Sequence, residues 1–164
     1  MQNKPNPIHL TPGQLKALYQ YQFSGPAVID LEFARGWMPV MADMCREVDE
    51  LMRGRLDRYS FSWVQFKEKF GTGRFYYHLR VLADPARSQK DSPETTELRQ
   101  AILEVKLRAE ERTASLCEAC GQPGELIRDE GWLSTLCPEH AAMLRRGERF
   151  CCSLADDGSE LKLP

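Results

Sequence analysis

No apolar run in this chain approaches the roughly 18 residues that a membrane-spanning helix needs, and the first residues, MQNKPNPIHLTPGQ, lack the apolar core of a signal peptide. There is no surplus of one charge either. Lys and Arg number 22 and Asp and Glu 24, which leaves a net charge of −2 and a pI near 6.0. A general nucleic-acid binder would usually be basic overall. Internal repeats and low-complexity tracts are missing. So are a Gly-rich phosphate loop, a Ser nucleophile elbow and a His-Glu-x-x-His pair. With no complete catalytic set in the sequence, an enzyme is the weakest functional expectation. The expected location is the cytoplasm, where the 6 cysteines are more readily thiols or metal ligands than disulfides.

What remains is the composition of a globular chain, 42% hydrophobic and 28% charged over 164 residues. That length is one domain of ordinary size, or one domain with a small appendage. Residues 1–13 carry three prolines and read as an irregular arm, from which TPGQLKALYQ starts a short helix with Thr11 as N-cap and Pro12 at the first helical position. In GWMPVMADMCREVDELMRG, apolar residues recur at Met41, Met44, Cys45, Val48, Leu51 and Met52, the spacing of one helical face, with Gly54 placed to end it. The period then changes. FSWVQFKEKFGTGRFYYHLRVL predicts a β-hairpin turning at Gly71-Thr72-Gly73. Residues 84–92 are polar and breaker-rich, a loop. A long helix follows, capped by Ser92, with Pro93 first and with Leu98, Ala101, Ile102, Val105 and Ala109 on one face.

That helix leads to CEACGQPGELIRDEGWLSTLCPEH, where Cys117 and Cys120 are separated by two residues, as are Cys137 and His140, with 16 residues between the pairs. Zinc accepts this mixture of thiolate and imidazole in a tetrahedron. Cys-x2-Cys followed by Gly121 is the turn of a zinc knuckle. ELIRDEGWLSTL gives two short strands around Asp129-Glu130-Gly131. Pro138 suits the first turn of a helix, with Cys137 as its N-cap and His140 on the same side. Knuckle, hairpin and ligand-bearing helix together look like a treble-clef zinc finger. A catalytic zinc usually has three protein ligands and an open position, whereas this pattern supplies four, so the expected ion is a structural Zn2+. The His-x-Glu and Pro-Cys-x-x-Cys of the zinc deaminases are not both present. The other reading of these cysteines is that they are buried small residues.

Other reactive side chains have bland readings. Cys45 lies on an apolar helical face, the place of a core cysteine. Cys151-Cys152 could be a redox pair, an alternative metal site or an unremarkable neighbour pair. His78 falls on a strand, and His9 lies in the N-terminal arm.

The aromatic hairpin is the second distinctive feature. Tyr59, Phe61, Trp63, Phe66, Phe70, Phe75, Tyr76 and Tyr77 cluster there, and residues 53–80 hold seven Lys or Arg against Asp57 and Glu68. It is either an ordinary hairpin packed on helices or a binding face for an acidic partner, with Lys67, Lys69, Arg74 and Tyr76 as the candidate contacts. Strict alternation puts Phe61, Trp63, Gln65 and Lys67 on one side and Ser62, Val64, Phe66 and Glu68 on the other, so neither side is cleanly polar. The partner is a protein surface or, in the alternative reading, nucleic acid with rings for stacking. The finger weakens the second reading, since residues 114–150 hold six acids against four bases.

Taken in order, RGWMPVMADMCREVDEL, VQFKEKFGTGRFYYHL and SLCEACGQPGELIRDEGWLSTLCPEHA resemble a family of small bacterial and prophage-associated proteins. Its members join a Gly-Trp-Phe helix, a Lys-Glu-Lys-Phe-Gly hairpin and a C-terminal Cys-Glu-x-Cys-Gly zinc segment. The likeness spans roughly residues 24–142. It departs at Met38, at Gln65-Phe66 and at Thr72-Gly73, while Cys117, Cys120, Cys137 and His140 fit. The resemblance implies the architecture and the zinc site and carries no activity with it. Small accessory proteins of this kind are often inhibitors, immunity proteins or regulators.

The expectation is therefore an α+β protein in three parts: a core over 1–113 of helices packed on the aromatic hairpin, a treble-clef-like zinc finger over 114–150 packed on that core, and an acidic tail over 151–164. It is expected to be a non-catalytic, zinc-containing binding protein acting through a protein partner. The alternative is a nucleic-acid-binding regulator using the basic hairpin.

Overall fold

The computed structural model describes residues 10–28, 30–82 and 92–161. The N-terminal arm with His9 and the 84–92 loop as far as residue 91 lie outside the described residues.

The chain is α+β. Helix α1 (Pro12–Leu18) opens with a capping box, Thr11 accepting from the Gln14 amide and the Gln14 side chain accepting from the Thr11 amide. A single turn, α2 (Gln20–Phe23), and a two-residue strand, β1 (Asp30–Leu31), follow. A 3-10 turn over Arg35–Trp37 leads into α3 (Met38–Met52), which buries Met41, Met44, Cys45, Val48 and Met52 as the spacing predicts. Gly54 takes φ of 70° just beyond its end. Strands β2 (Tyr59–Lys69) and β3 (Thr72–Val81) form the hairpin, and β1 joins β2 in parallel to complete a three-stranded sheet. Helix α4 (Pro93–Thr113), capped by Ser92, buries Leu98, Ile102, Val105 and Ala109 against α3 and β3. The core therefore lies between one face of the sheet and the α3–α4 layer.

Two features of the hairpin differ from the sequence expectation. Its turn is Phe70-Gly71, with φ of 57° and 77°, one residue earlier than Gly71-Thr72-Gly73. A two-residue loop with both φ positive matches the twist of the strands. Gly73 is instead a strand residue paired with Glu68, where a Cβ would come within 2.9 Å of the Phe75 ring. The other difference is a bulge. The register passes from Trp63–Tyr77 to Gln65–Tyr76, so Val64 has no partner across the strand. That extra residue re-phases the strand and corrects the alternation. Phe61, Trp63 and Phe66 all point to the core, with ring centroids 5.0 Å and 5.2 Å apart along the row.

One polar side chain anchors this row. Gln22 is fully buried. Its Oε1 accepts from Trp63 Nε1 at 2.9 Å, and its Nε2 donates to the Cys45 carbonyl at 2.8 Å, tying α2, α3 and β2 together.

After α4 come the strands β4 (Glu125–Asp129) and β5 (Trp132–Leu136), an antiparallel pair, and helix α5 (Pro138–Arg145). Residues 151–161 do not trail away as a tail. Ser153 bridges to Ala34, and the Arg35 amide donates to the Cys152 carbonyl. Lys16 pairs with Asp156 at 2.7 Å, and Arg35 pairs with Glu160. The acids of this segment are thus largely engaged by bases of the N-terminal half.

Candidate functional site

Cys117 and Cys120 stand in a tight turn at the end of α4. The Gly121 amide donates to the Cys117 carbonyl at 2.8 Å, and Cys117 N donates to the Gln122 carbonyl at 2.8 Å. Gly121 closes the turn with φ of 76°. Cys137 is the N-cap of α5 and Pro138 its first residue, so His140 falls in the first turn facing the same point. The β4–β5 hairpin sets the separation between the two pairs.

The four side chains converge. Their ligand atoms all lie within 4.8 Å of one another, and the group could hold a metal ion. Cys120 and Cys137 Sγ are 3.7 Å apart, too far for a disulfide, and His140 Nδ1 is 3.2 Å from Cys137 Sγ and 3.7 Å from Cys117 Sγ. Cys117 and Cys137 are buried, His140 is half-buried and Cys120 is exposed. The Phe150 ring packs edge-on against His140 at 5.0 Å and fixes the imidazole from behind.

The electrostatics are those of groups in competition. At Cys137 burial opposes the thiolate, but hydrogen bonds from the His140 backbone and ring, and from Cys120 and Cys117, overcome it and bring the pKa down to about 6. At Cys120, exposed as a residue, desolvation of the inward-facing thiol pushes the pKa up to about 12; the Gln122 amide opposes this, and the Cys117 and Cys137 neighbours add to it. The two thiols are thus pushed in opposite directions. A cation at the centre removes that conflict, since all three sulfurs can then carry charge.

The cluster is seated on the core by Gly36-Trp37, a motif visible in the sequence without this role, and by Thr113 and Thr135, which the sequence does not mark. Gly36 N donates to the Glu118 carbonyl at 2.8 Å, and Trp37 Nε1 donates to the Leu116 carbonyl at 2.9 Å. A Cβ on Gly36 would stand 1.9 Å from the Cys117 carbonyl oxygen and 2.5 Å from Gly121 N, so only glycine allows the cysteine turn this close. On the other side Thr135 Oγ1 donates to the Gly71 carbonyl at 2.6 Å, and Gly73 N donates to Thr113 Oγ1 at 2.8 Å. Burial holds the Glu118 carboxyl up at about 7, against a hydrogen bond from Ser134 and with a small push from Glu68.

Cys45 is fully buried in α3, and burial raises its pKa far above the ordinary thiol value. Cys151 donates to the Ser153 and Leu161 carbonyls, and neither it nor Cys152 belongs to the converging group.

The hairpin candidates also come together. Lys67 and Arg74 are cross-strand partners, Tyr76 stands opposite Gln65, and Lys69 stands opposite Thr72, so all four share the face turned away from α3 and α4. The Lys67 ammonium sits 5.0 Å from the Tyr76 ring centroid. Tyr76 is 43% exposed and Phe70, at the turn, 62%. His78 and Arg80 extend this face, and Asp30 and Glu32 of the β1 segment border it. Strict alternation does not produce this arrangement, because the bulge at Val64 shifts the phase of β2. Spacing of Phe61, Trp63 and Phe66 by two and then three residues was the available signal.

No family model, no curated protein and no solved structure matches the chain. Among the described residues no helix is long and apolar enough to cross a membrane.

Proposed function

We propose that this chain is a non-catalytic binding protein with a structural Zn2+ in a treble-clef-like finger, acting on a protein partner through the outer face of its hairpin. A bacterial immunity, inhibitor or regulatory role fits that description, as does membership of the prophage-associated family that the three motifs resemble.

Support for zinc comes from the donor set and its dimensions. A tetrahedral ion with Zn–S of about 2.3 Å and Zn–N of about 2.0–2.1 Å has S···S edges of about 3.8 Å and S···N edges of about 3.6 Å. The corresponding separations are 3.7 Å between Cys120 and Cys137, and 3.7 Å and 3.2 Å from His140 to Cys117 and Cys137. Four protein ligands fill the tetrahedron and leave no position for water or substrate, which favours a structural role.

The observation that carries the partner reading is the Val64 bulge. It sends the rings of β2 inward and leaves Lys67, Lys69, Arg74 and Tyr76 together on an outward face. Aromatic and basic residues side by side are the composition of interface hot spots. Tyr76 beside Lys67 and Arg74 also favours, more weakly, a stacked single-stranded nucleic acid.

The test is co-purification from source cells with wild-type chain and with the Lys67→Glu/Arg74→Glu double variant, both shown to be folded and metal-loaded. A partner protein recovered with wild type and reduced at least tenfold with the variant supports the reading. Equal recovery with both would move the interaction off this face. Recovery of nucleic acid instead, with steep salt dependence, would favour the alternative.

A further inference from the structure

We propose that the groove beside Trp132 is a second docking site, one that takes an arginine-bearing segment of a partner protein. It lies on the finger, is lined by no residue of the basic hairpin, and selects the opposite charge. The inference rests on the finger being folded as described and is independent of which partner the hairpin face takes.

In the β4–β5 register Asp129 pairs with Trp132 and Ile127 with Ser134, which places these side chains on one face of the finger hairpin. Ile127 and Leu144 pack on the small finger core. Beyond them the face continues outward into a groove of about 440 Å3, within the range of sites that hold a ligand or an anchoring side chain. Trp132 is 78% exposed at its edge, the most exposed large apolar side chain among the described residues. The sequence gives this position no local reason to be tryptophan. The turn is made by Glu130-Gly131, with φ of 44° and 92°, and any strand-forming residue could follow it.

The charge of the walls selects the occupant. Asp129 and Glu130 line the groove and have no ion-pair partner among the described residues. Glu148 also lines it but is engaged by Arg146. Arg149 is the single base in the lining. An acidic or phosphorylated segment would meet uncompensated carboxylates here. A neutral apolar segment would bury them unpaired, at a desolvation cost. A guanidinium satisfies both features at once. Its plane stacks on an indole, its fork meets carboxylates in pairs, and its aliphatic stem covers Ile127 and Leu144. Lysine satisfies the charge and not the fork, so it ranks second.

Trp132 supplies its own reporter. The other two tryptophans, Trp37 and Trp63, are buried, so change in the red edge of the emission belongs to Trp132. The experiment is selection of a random heptapeptide library on the intact 164-residue chain, followed by titration of the best synthetic peptide. The expected result is at least threefold enrichment of arginine over the starting library and a saturable blue shift of Trp132 emission. Replacing the peptide's arginine by citrulline should weaken binding at least tenfold. Asp129→Asn with Glu130→Gln should weaken it at least fivefold, read by anisotropy of a labelled peptide. Trp132→Ala, read the same way with circular dichroism and metal content as folding controls, should abolish it. Lys67→Glu/Arg74→Glu should leave it unchanged, which separates this site from the hairpin face. Selected peptides without basic residues, no selected peptides at all, equal binding of the citrulline peptide, or indifference to the Asp129/Glu130 substitutions would each overturn the proposal.

Discussion

The two halves of this molecule solve the same problem by different means. The α+β core buries Trp37, Trp63, Phe33, Phe66 and Phe75 almost completely, with Leu15, the α3 methionines and Ile102 filling between them. The finger's buried apolar side chains are Cys117, Ala119, Leu136, Cys137 and Ala141, and two of those five are candidate ligands. Apolar burial contributes roughly 25 cal/mol per Å2 removed from water. The core has area enough for that to offset its ordering entropy. A finger of alanines and cysteines does not. In the finger the converging side chains stand where a core would otherwise be.

The largest effect is expected from removing the proposed metal. Apparent binding free energies for small structural zinc units are about 10–16 kcal/mol at pH 7, and that energy is folding energy. Chelation, or Cys137→Ala, is expected to abolish amide protection across residues 114–150 while α3, β2, β3 and α4 keep theirs. Hydrogen exchange followed by mass spectrometry reads both halves at once. Protection lost equally in both halves would mean that the core depends on the finger as well.

Phe66→Ala attacks the other half. Phe66 touches Phe23, Phe33, Trp63 and Phe75 at centroid distances of 5.1–6.1 Å. The expected cost is about 3–5 kcal/mol, seen as a lower urea midpoint of the core transition. Metal content of the folded fraction should not change.

A smaller effect sharpens the boundary between the halves. Gly36→Ala places a methyl against the Cys117 carbonyl, and the cysteine turn must move to admit it. About 1–3 kcal/mol is expected, the scale of overpacking, together with weaker metal retention in a competition with a chelator. Unchanged metal retention would show that the seat and the metal site are uncoupled.

Helices and the Cys/His cluster were legible in the sequence because each carries a local signature. Thr11-Pro12 and Ser92-Pro93 mark helix starts by their side-chain chemistry, and two ligand pairs at fixed spacing need no tertiary information to be seen. The hairpin was legible in kind and misplaced in detail. Phe70 at positive φ is a residue that turn preferences disfavour, so the glycines beside it drew the turn one residue too far. The Val64 bulge shifts the face without changing the composition. Two elements left almost no trace. β1 is two residues long, too short for a period, and residues 151–161 are fixed by backbone bonds to the 33–35 segment and by ion pairs with distant bases. Gly36-Trp37 was visible as a motif. Its purpose, seating the cysteine turn, exists only in three dimensions.

One zinc ion, held by Cys117, Cys120, Cys137 and His140, is proposed to stand in for the finger's missing core. Native mass spectrometry of the purified chain, with metal identity from elemental analysis of the same sample, tests it most directly. One zinc per chain in the wild type, retained in Cys151→Ala and lost in Cys137→Ala, is the predicted result. A folded finger with no stoichiometric metal, or a zinc that survives Cys137→Ala, would contradict it.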